Sequence, residues 1–260
     1  MSQTGSRRVP WLIAIGLAAG FLSGLFGVGG GILVVPALIF LVSFENRLAA
    51  GTSLAAIVPT SLVGVITYAA SGSVDWWAGL ILAAGSVVGA QLGAFLLSRI
   101  PKRALQWAFI AFLVVVIVQL FLVVPVRGAE ITLHPWSIVG LVALGLLTGV
   151  LSGLLGIGGG IIIVPMLVML FGASDLLAKG TSLLMMIPTA ISGTVGNVIR
   201  RNVDLPAAAF VGVSACLTTT LGAQVARLLS PEAGNILFAA FIAVIVVRMV
   251  LQILRERRTH

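Results

Sequence analysis

Apolar residues come in blocks along this chain rather than in alternation. Hydrophobic runs cover about 11–26, 31–43, 48–70, 76–98 and 104–124, and again 136–155, 160–172, 177–199, 205–226 and 234–254. Polar positions are confined to the short gaps between them. Blocks of about 20 apolar residues predict helices that cross a hydrocarbon core of about 30 Å. In lipid every backbone N–H and C=O needs a partner, and a helix supplies all of them from within. The last three runs of each series are long enough to span. The first two are not, since a 13-residue helix such as 31–43 rises only about 20 Å. The expected fold is all-α: a polytopic membrane protein with short helices broken at glycine.

The chain is written twice. "SGLFGVGGGILVVP" at 23–36 returns as "SGLLGIGGGIIIVP" at 152–165, identical at ten of fourteen positions. "GTSLAAIVPT" at 51–60 returns as "GTSLLMMIPT" at 180–189, identical at six of ten. Asp75 and Asp204, Gly93 and Gly222, and Phe112 and Phe241 keep the same offset of 129 residues. The division expected is a first transmembrane repeat over 1–124, a polar linker over 125–135 and a second repeat over 136–260. The two belong to one bundle, because either alone would leave its interrupted segments facing lipid.

Composition strengthens this reading. The chain is 60% hydrophobic and only 8% charged, with mean hydropathy +1.21; a soluble domain carries roughly 25% charged residues. The formal charge of +8 does not point to nucleic acid, because the basic residues cluster in loops. If every run crosses, the cytoplasmic side collects eleven basic residues and the far side three, Arg127, Lys179 and Arg227. If each broken pair counts as one crossing, the tally is eight against six. The positive-inside rule favours the first count. Five passages per half is odd, so the halves are expected to be inverted, with both termini cytoplasmic. Arg7-Arg8 before an apolar run imitates a signal peptide. The matching run at 136–155 is internal, so the first is expected to stay as a helix.

A break at membrane depth is costly unless it lines a protein-enclosed cavity. Glycine permits the tight turn and positive φ. The expected apexes are Gly29, Gly30 and Gly31, and Gly158, Gly159 and Gly160. Each opens a helix whose first N–H groups lack intrahelical partners, which with the helix dipole makes an anion site. Inverted halves would bring the two tips together near the midplane, and paired glycine-interrupted segments point to a transporter's binding site. Expected breaks or hinges are Gly27, Pro36, Pro59, Gly156, Pro165 and Pro188. Gly20/Gly24 and Gly85/Gly89/Gly93 read instead as close-packing positions.

Thr52, Ser53 and Thr60, with Thr181, Ser182 and Thr189, add hydroxyls to both copies. They are candidates for binding the anion; otherwise they satisfy carbonyls of their own helices. Asp75 and Asp204 read as helix N-caps. Lys179 reads as a solvated loop residue, Arg248 as a snorkelling one and His134 as an exposed linker residue. Asn197 and Tyr68, equivalent by the offset, are a polar pair that could face the cavity. No carboxylate lies deep in any run, so no dedicated proton relay is expected, and coupling to H+ or Na+ stays open. No metal or cofactor is expected, and a metal site built on thiols is ruled out because Cys216 is the only cysteine. With no buried acid pair, His cluster or nucleophile–base set, the chain is not expected to be an enzyme.

"GLFGVGGGILVVPAL" and "GLLGIGGGIIIVPML", each followed by "GTSL" and Pro-Thr, resemble the sulfite exporter TauE/SafE family, within the 4-toluene sulfonate uptake permease superfamily. The resemblance implies a multi-pass carrier of the bacterial inner membrane. It implies that the glycine apexes and the Thr/Ser phrases line a path for sulfite, an organosulfonate or another sulfur-containing anion. The function expected is secondary transport of a small anion by alternating access. Partners are that anion and the bilayer, with no nucleic acid; the number of copies stays open. The alternatives are a carrier of another carboxylate or sulfur compound, and a non-transporting scaffold or enzyme subunit.

Overall fold

The computed structural model describes residues 3–96, 102–122, 131 and 134–258. Ten helices follow one another: α1 (Gln3–Phe26), α2 (Gly31–Val42), α3 (Asn46–Ala69), α4 (Trp76–Leu96), α5 (Lys102–Leu122), α6 (Pro135–Leu155), α7 (Gly160–Phe171), α8 (Asp175–Ile199), α9 (Leu205–Leu228) and α10 (Pro231–Arg258). The linker expected at 125–135 lies, apart from Ile131, His134 and Pro135, outside the described residues. So do Arg99 and Arg127, two positions in the charge tally.

Among the described residues, six helices are long and apolar enough to cross a membrane: α1, α3, α6, α8, α9 and α10. One expectation is corrected here. Only the second element of each broken pair is short: α2 and α7 have 12 residues each, about 18 Å of rise. Their partners α1 and α6 are of spanning length, 24 and 21 residues. Pro10 inside α1 does not end the helix, which extends N-terminal to the apolar run. Large apolar side chains are exposed along the described helices; Trp76, Trp77 and Trp136 lie in first turns and Trp11 at the start of the apolar run of α1, as expected of interfacial tryptophans.

The helices are interleaved. α1 packs along α9, and α6 along α4. Small residues make this possible. A Cβ on Gly20 would stand 2.0 Å from the Ala215 carbonyl oxygen, and one on Gly149 would stand 2.2 Å from that of Ser86. Gly16 and Gly24 meet α9, and Gly145 and Gly153 meet α4, in the same way. Glycines at four-residue spacing thus form a groove that lets two backbones touch. Each contact has its counterpart 129 residues away: Gly20 with Ala215, Gly149 with Ser86.

α3 and α8 cross at the centre and run antiparallel. Gly51 meets Asn197, Gly193 meets Leu54, Gly64 meets Leu183 and Gly180 meets Tyr68. Parallel halves would bring α3 and α8 together in the same direction; antiparallel pairing is the relation that inverted halves require. α3 also packs on α9, and α8 on α4. Two groups result: α1, α2 and α3 with α9, and α6, α7 and α8 with α4. Each half lends its fourth helix to the other group. α5 and α10 pack together.

Two long-range hydrogen bonds fasten the ends of this cross. Thr52 Oγ1 accepts from the N–H of Asp204, and Thr181 Oγ1 accepts from the N–H of Asp75, each at 3.0 Å. Asp204 and Asp75 then cap α9 and α4 through Oδ1, accepting from Ala207 and Ala78. The N-cap reading of both aspartates holds.

Two sets of substitutions test this architecture by thermal unfolding in detergent. Gly20→Ala and Gly149→Ala each overpack a backbone contact and should cost about 1–3 kcal/mol. Gly196→Ala, with nothing within 4 Å, should leave stability almost unchanged. Thr52→Val and Thr181→Val should each cost about 1–3 kcal/mol by stranding an N–H. The two costs should add, since the sites lie at opposite ends of the cross. Unchanged unfolding temperatures in the threonine variants would return both residues to the list of ligand groups.

Candidate functional site

The site is built from two short backbone loops. Between α1 and α2, Gly27, Gly29 and Gly30 have φ of 70°, 69° and 73°. Between α6 and α7, Gly156, Gly158 and Gly159 have φ of 70°, 82° and 83°. A side chain at any of the six would be strained, which is why the phrase needs so many glycines. Gly31 and Gly160 are the first residues of α2 and α7. Pro36, Pro59, Pro165 and Pro188 lie inside continuous helices. The breaks therefore fall at the glycines; the prolines, expected as breaks or hinges, end no helix.

The two loops touch. A Cβ on Gly31 would stand 2.9 Å from the carbonyl oxygen of Ile157, and one on Gly160 would stand 2.7 Å from that of Gly27. Between them lie Ile57, near the middle of α3, and Met186, near the middle of α8. The glycine apexes thus meet halfway along the two central helices.

Their N–H groups are the chemical feature. The Gly30 carbonyl accepts from Leu33 and Val34, and the Gly159 carbonyl from Ile162 and Ile163. The N–H groups of Gly31 and Ile32, and of Gly160 and Ile161, have no hydrogen-bond partner among the described residues. All four residues are buried. Two positive helix ends face one enclosed place, where an unpaired donor is costly. An anion there would satisfy the donors and offset the repulsion between the two dipoles.

Side chains reinforce this. Ser23 and Ser152, 0% and 2% exposed, lie in the last turns of α1 and α6, and neither hydroxyl has a partner. The Ser152 Cβ would be 3.7 Å from a Cβ on Gly159. These two serines were not singled out from sequence as ligands, although both open the duplicated phrase. Ser53 is likewise buried and unpartnered. Ser182, its counterpart, donates to the Gly27 carbonyl at 3.0 Å and holds the first loop against α8.

Other candidates have different work. Thr60 donates to the Ala56 carbonyl and Thr189 to that of Met185, so both hydroxyl protons are engaged one turn back in their own helices. Thr189 also bonds Ser86 of α4. Thr52 and Thr181 hold the helix cross described above, about one and a half turns from Ile57 and Met186. Tyr68 and Asn197 do not pair across a cavity. Tyr68 is fully buried and donates to the Gly24 carbonyl at 2.7 Å, while Asn197 donates to Gly193 of its own helix.

Lys179 is corrected most clearly. It is a helical residue, 6% exposed, with Nζ 3.6 Å from Asp175 Oδ2, and its Cα and Cβ pack against Gly27. Asp175 is equally buried; it is the first residue of α8 and precedes the apolar run 177–199. The offset places Asn46 and Ala50 at the equivalent positions, so this ion pair belongs to one mouth of the cross alone. Arg227 donates to the Thr67 carbonyl near the end of α3, and Arg248 stacks over Phe40 at 4.5 Å. Among the described residues no three His, Cys, Asp or Glu side chains converge as a metal site.

Comparison with known proteins identifies relatives of the chain. A model of the sulfite exporter TauE/SafE family matches residues 12–258. The chain is 30% identical over 240 residues to the probable membrane transporter protein YunE of Bacillus subtilis, covering 83% of this chain and 88% of that one. A probable membrane transporter protein of Methanocaldococcus jannaschii is 27% identical, over 94% of this chain and 96% of its own. The probable membrane transporter protein YdhB of Bacillus subtilis is 32% identical, over 74% and 80%. No solved structure matches the chain. Ten helices with an apolar exterior, broken twice at matched glycine loops and matched to the family model from α1 to α10, belong to a member of the sulfite exporter TauE/SafE family of membrane transporters.

Proposed function

We propose that this protein is a secondary transporter of a small anion, sulfite or an organosulfonate, in the bacterial inner membrane with both termini cytoplasmic. The observation that carries the reading is the meeting of two buried glycine loops whose leading N–H groups lack partners. Backbone donors and two helix dipoles suit an oxyanion, and the unpartnered hydroxyls of Ser23 and Ser152 add donors from either side. Gly29, Gly30, Gly31, Gly158, Gly159 and Gly160 shape the binding place, with Ser53 beside it.

Alternating access follows from the interleaving. The moving bodies are not the two sequence halves, because α4 and α9 are exchanged between them. They are α1–α3 with α9, and α6–α8 with α4, rocking about the antiparallel contact of α3 with α8. Each glycine loop belongs to a different body. Rocking one against the other opens the anion's place first to one face and then to the other, a motion of rigid groups around a fixed midplane site.

Uptake of radiolabelled sulfite and sulfate into proteoliposomes tests this. Wild type should carry sulfite. The double variant Ser23→Ala, Ser152→Ala should fold and raise the half-saturating concentration about ten-fold, the loss of one to two hydrogen bonds to a charged ligand. Gly159→Leu should abolish uptake, because a branched side chain at positive φ distorts the loop. Folded wild type that carries neither these anions nor organosulfonates would overturn the reading and favour a scaffold.

A further inference from the structure

The place between the glycine loops is filled by the protein itself. Met186 and Ile57 are 0% and 1% exposed, and they occupy equivalent positions in the two halves, 129 residues apart. Met186 Cε would be 2.1 Å from a Cβ on Gly29 and 2.3 Å from one on Gly158. Its Sδ would be 3.0 Å from a Cβ on Gly29 and 3.1 Å from one on Gly160. Ile57 Cδ1 would be 2.7 Å from a Cβ on Gly31 and 3.2 Å from one on Gly158. One methionine and one isoleucine, from the two bodies that are inferred to move, therefore reach both loops at once.

The geometry points to a plug: Met186 and Ile57 stand where the anion binds, close the path when it is absent, and set the size of the ion that takes their place. This rests on the reading of the loop junction as the anion site. Three facts lead to it. An apolar pair cannot satisfy the N–H groups it covers, so the filled arrangement leaves donors waiting for a ligand. Methionine is unbranched, and its thioether end swings at little cost, whereas isoleucine is stiff at χ1. Met186 is thus the half of the plug that moves first. Met186 Sδ and Cε and Ile57 Cγ2 and Cδ1 are the side-chain ends that stand nearest the loop glycines. The vacated space suits a compact oxyanion and excludes an arylsulfonate until the plug is trimmed.

Accessibility of a reporter cysteine tests the plug without requiring transport. In a Cys216→Ser background, Ser152→Cys places a thiol beside the second loop. With the plug intact, a small anionic thiosulfonate reagent should label it slowly. Adding Met186→Ala should raise the labelling rate about ten-fold or more. Met186→Leu, of nearly the same volume, should keep labelling slow. Ile57→Ala provides the same test from the other body in case Met186→Ala does not fold. In flux assays Met186→Ala should admit benzenesulfonate, which wild type excludes. Labelling that is equally fast with and without Met186 overturns the plug, even in a protein that transports sulfite. Faster labelling in Met186→Ala with no flux of any anion leaves the plug standing and overturns the transport reading. Unchanged selectivity in Met186→Ala overturns the claim on size.

Discussion

The structure depends on one constraint: a backbone N–H in the middle of a bilayer must be given a partner. Twice, this chain breaks a helix at that depth and starts a new one. Each restart strands donors that a continuous helix would have paired. Burial among α3 and α8 removes water as the ordinary remedy. The cost is tolerable only if the donors meet a ligand, and the two sets are brought to the same place. A single break could be a packing accident; two that converge support the proposed receptor for negative charge.

The rest of the fold keeps those breaks together. Grooves of glycine on α1 and α6 let α9 and α4 lie against them at backbone contact. This exchange of helices ties the halves into one bundle, in which the antiparallel pair α3 and α8 and the touching glycine loops join the two groups. Thr52 and Thr181 tie the start of α3 to the loop before α9, and the start of α8 to the loop before α4. The hydroxyls expected to bind a ligand thus hold each body's borrowed helix in place. The Lys179–Asp175 pair interrupts the symmetry at one end, next to the first glycine loop. Two bodies, one interface and one shared ligand position are the minimum that alternating access needs.

Much of this was legible in the sequence because lipid leaves few choices. The run 31–43 became Gly31–Val42, 48–70 became Asn46–Ala69, and 160–172 became Gly160–Phe171. The glycine breaks were legible because nothing else explains three adjacent glycines in a duplicated apolar phrase. The interleaving was not, since glycine spacing marks a contact face without naming the helix that fills it. Lys179 was misread because its partner Asp175 lies one turn back, at a position that looked like a loop. Ile57 and Met186 were invisible: an apolar residue in an apolar run gives no sign that it faces a polar place. Ser23 and Ser152 carried a sign, as hydroxyls fixed at the start of both copies, but one that packing could equally explain.

The central claim is that an anion sits between the two glycine loops. Selenite has the shape and charge pattern of sulfite and can be located by its anomalous scattering at the selenium edge. Crystals of the protein equilibrated with selenite should show their strongest anomalous peak between the loops, with selenite oxygens about 3 Å from the backbone nitrogens of Gly31 and Gly160 and the end of Met186 displaced. Selenite at saturating concentration found only on surface arginines and lysines, with the junction still filled by Met186 and Ile57, would contradict the account.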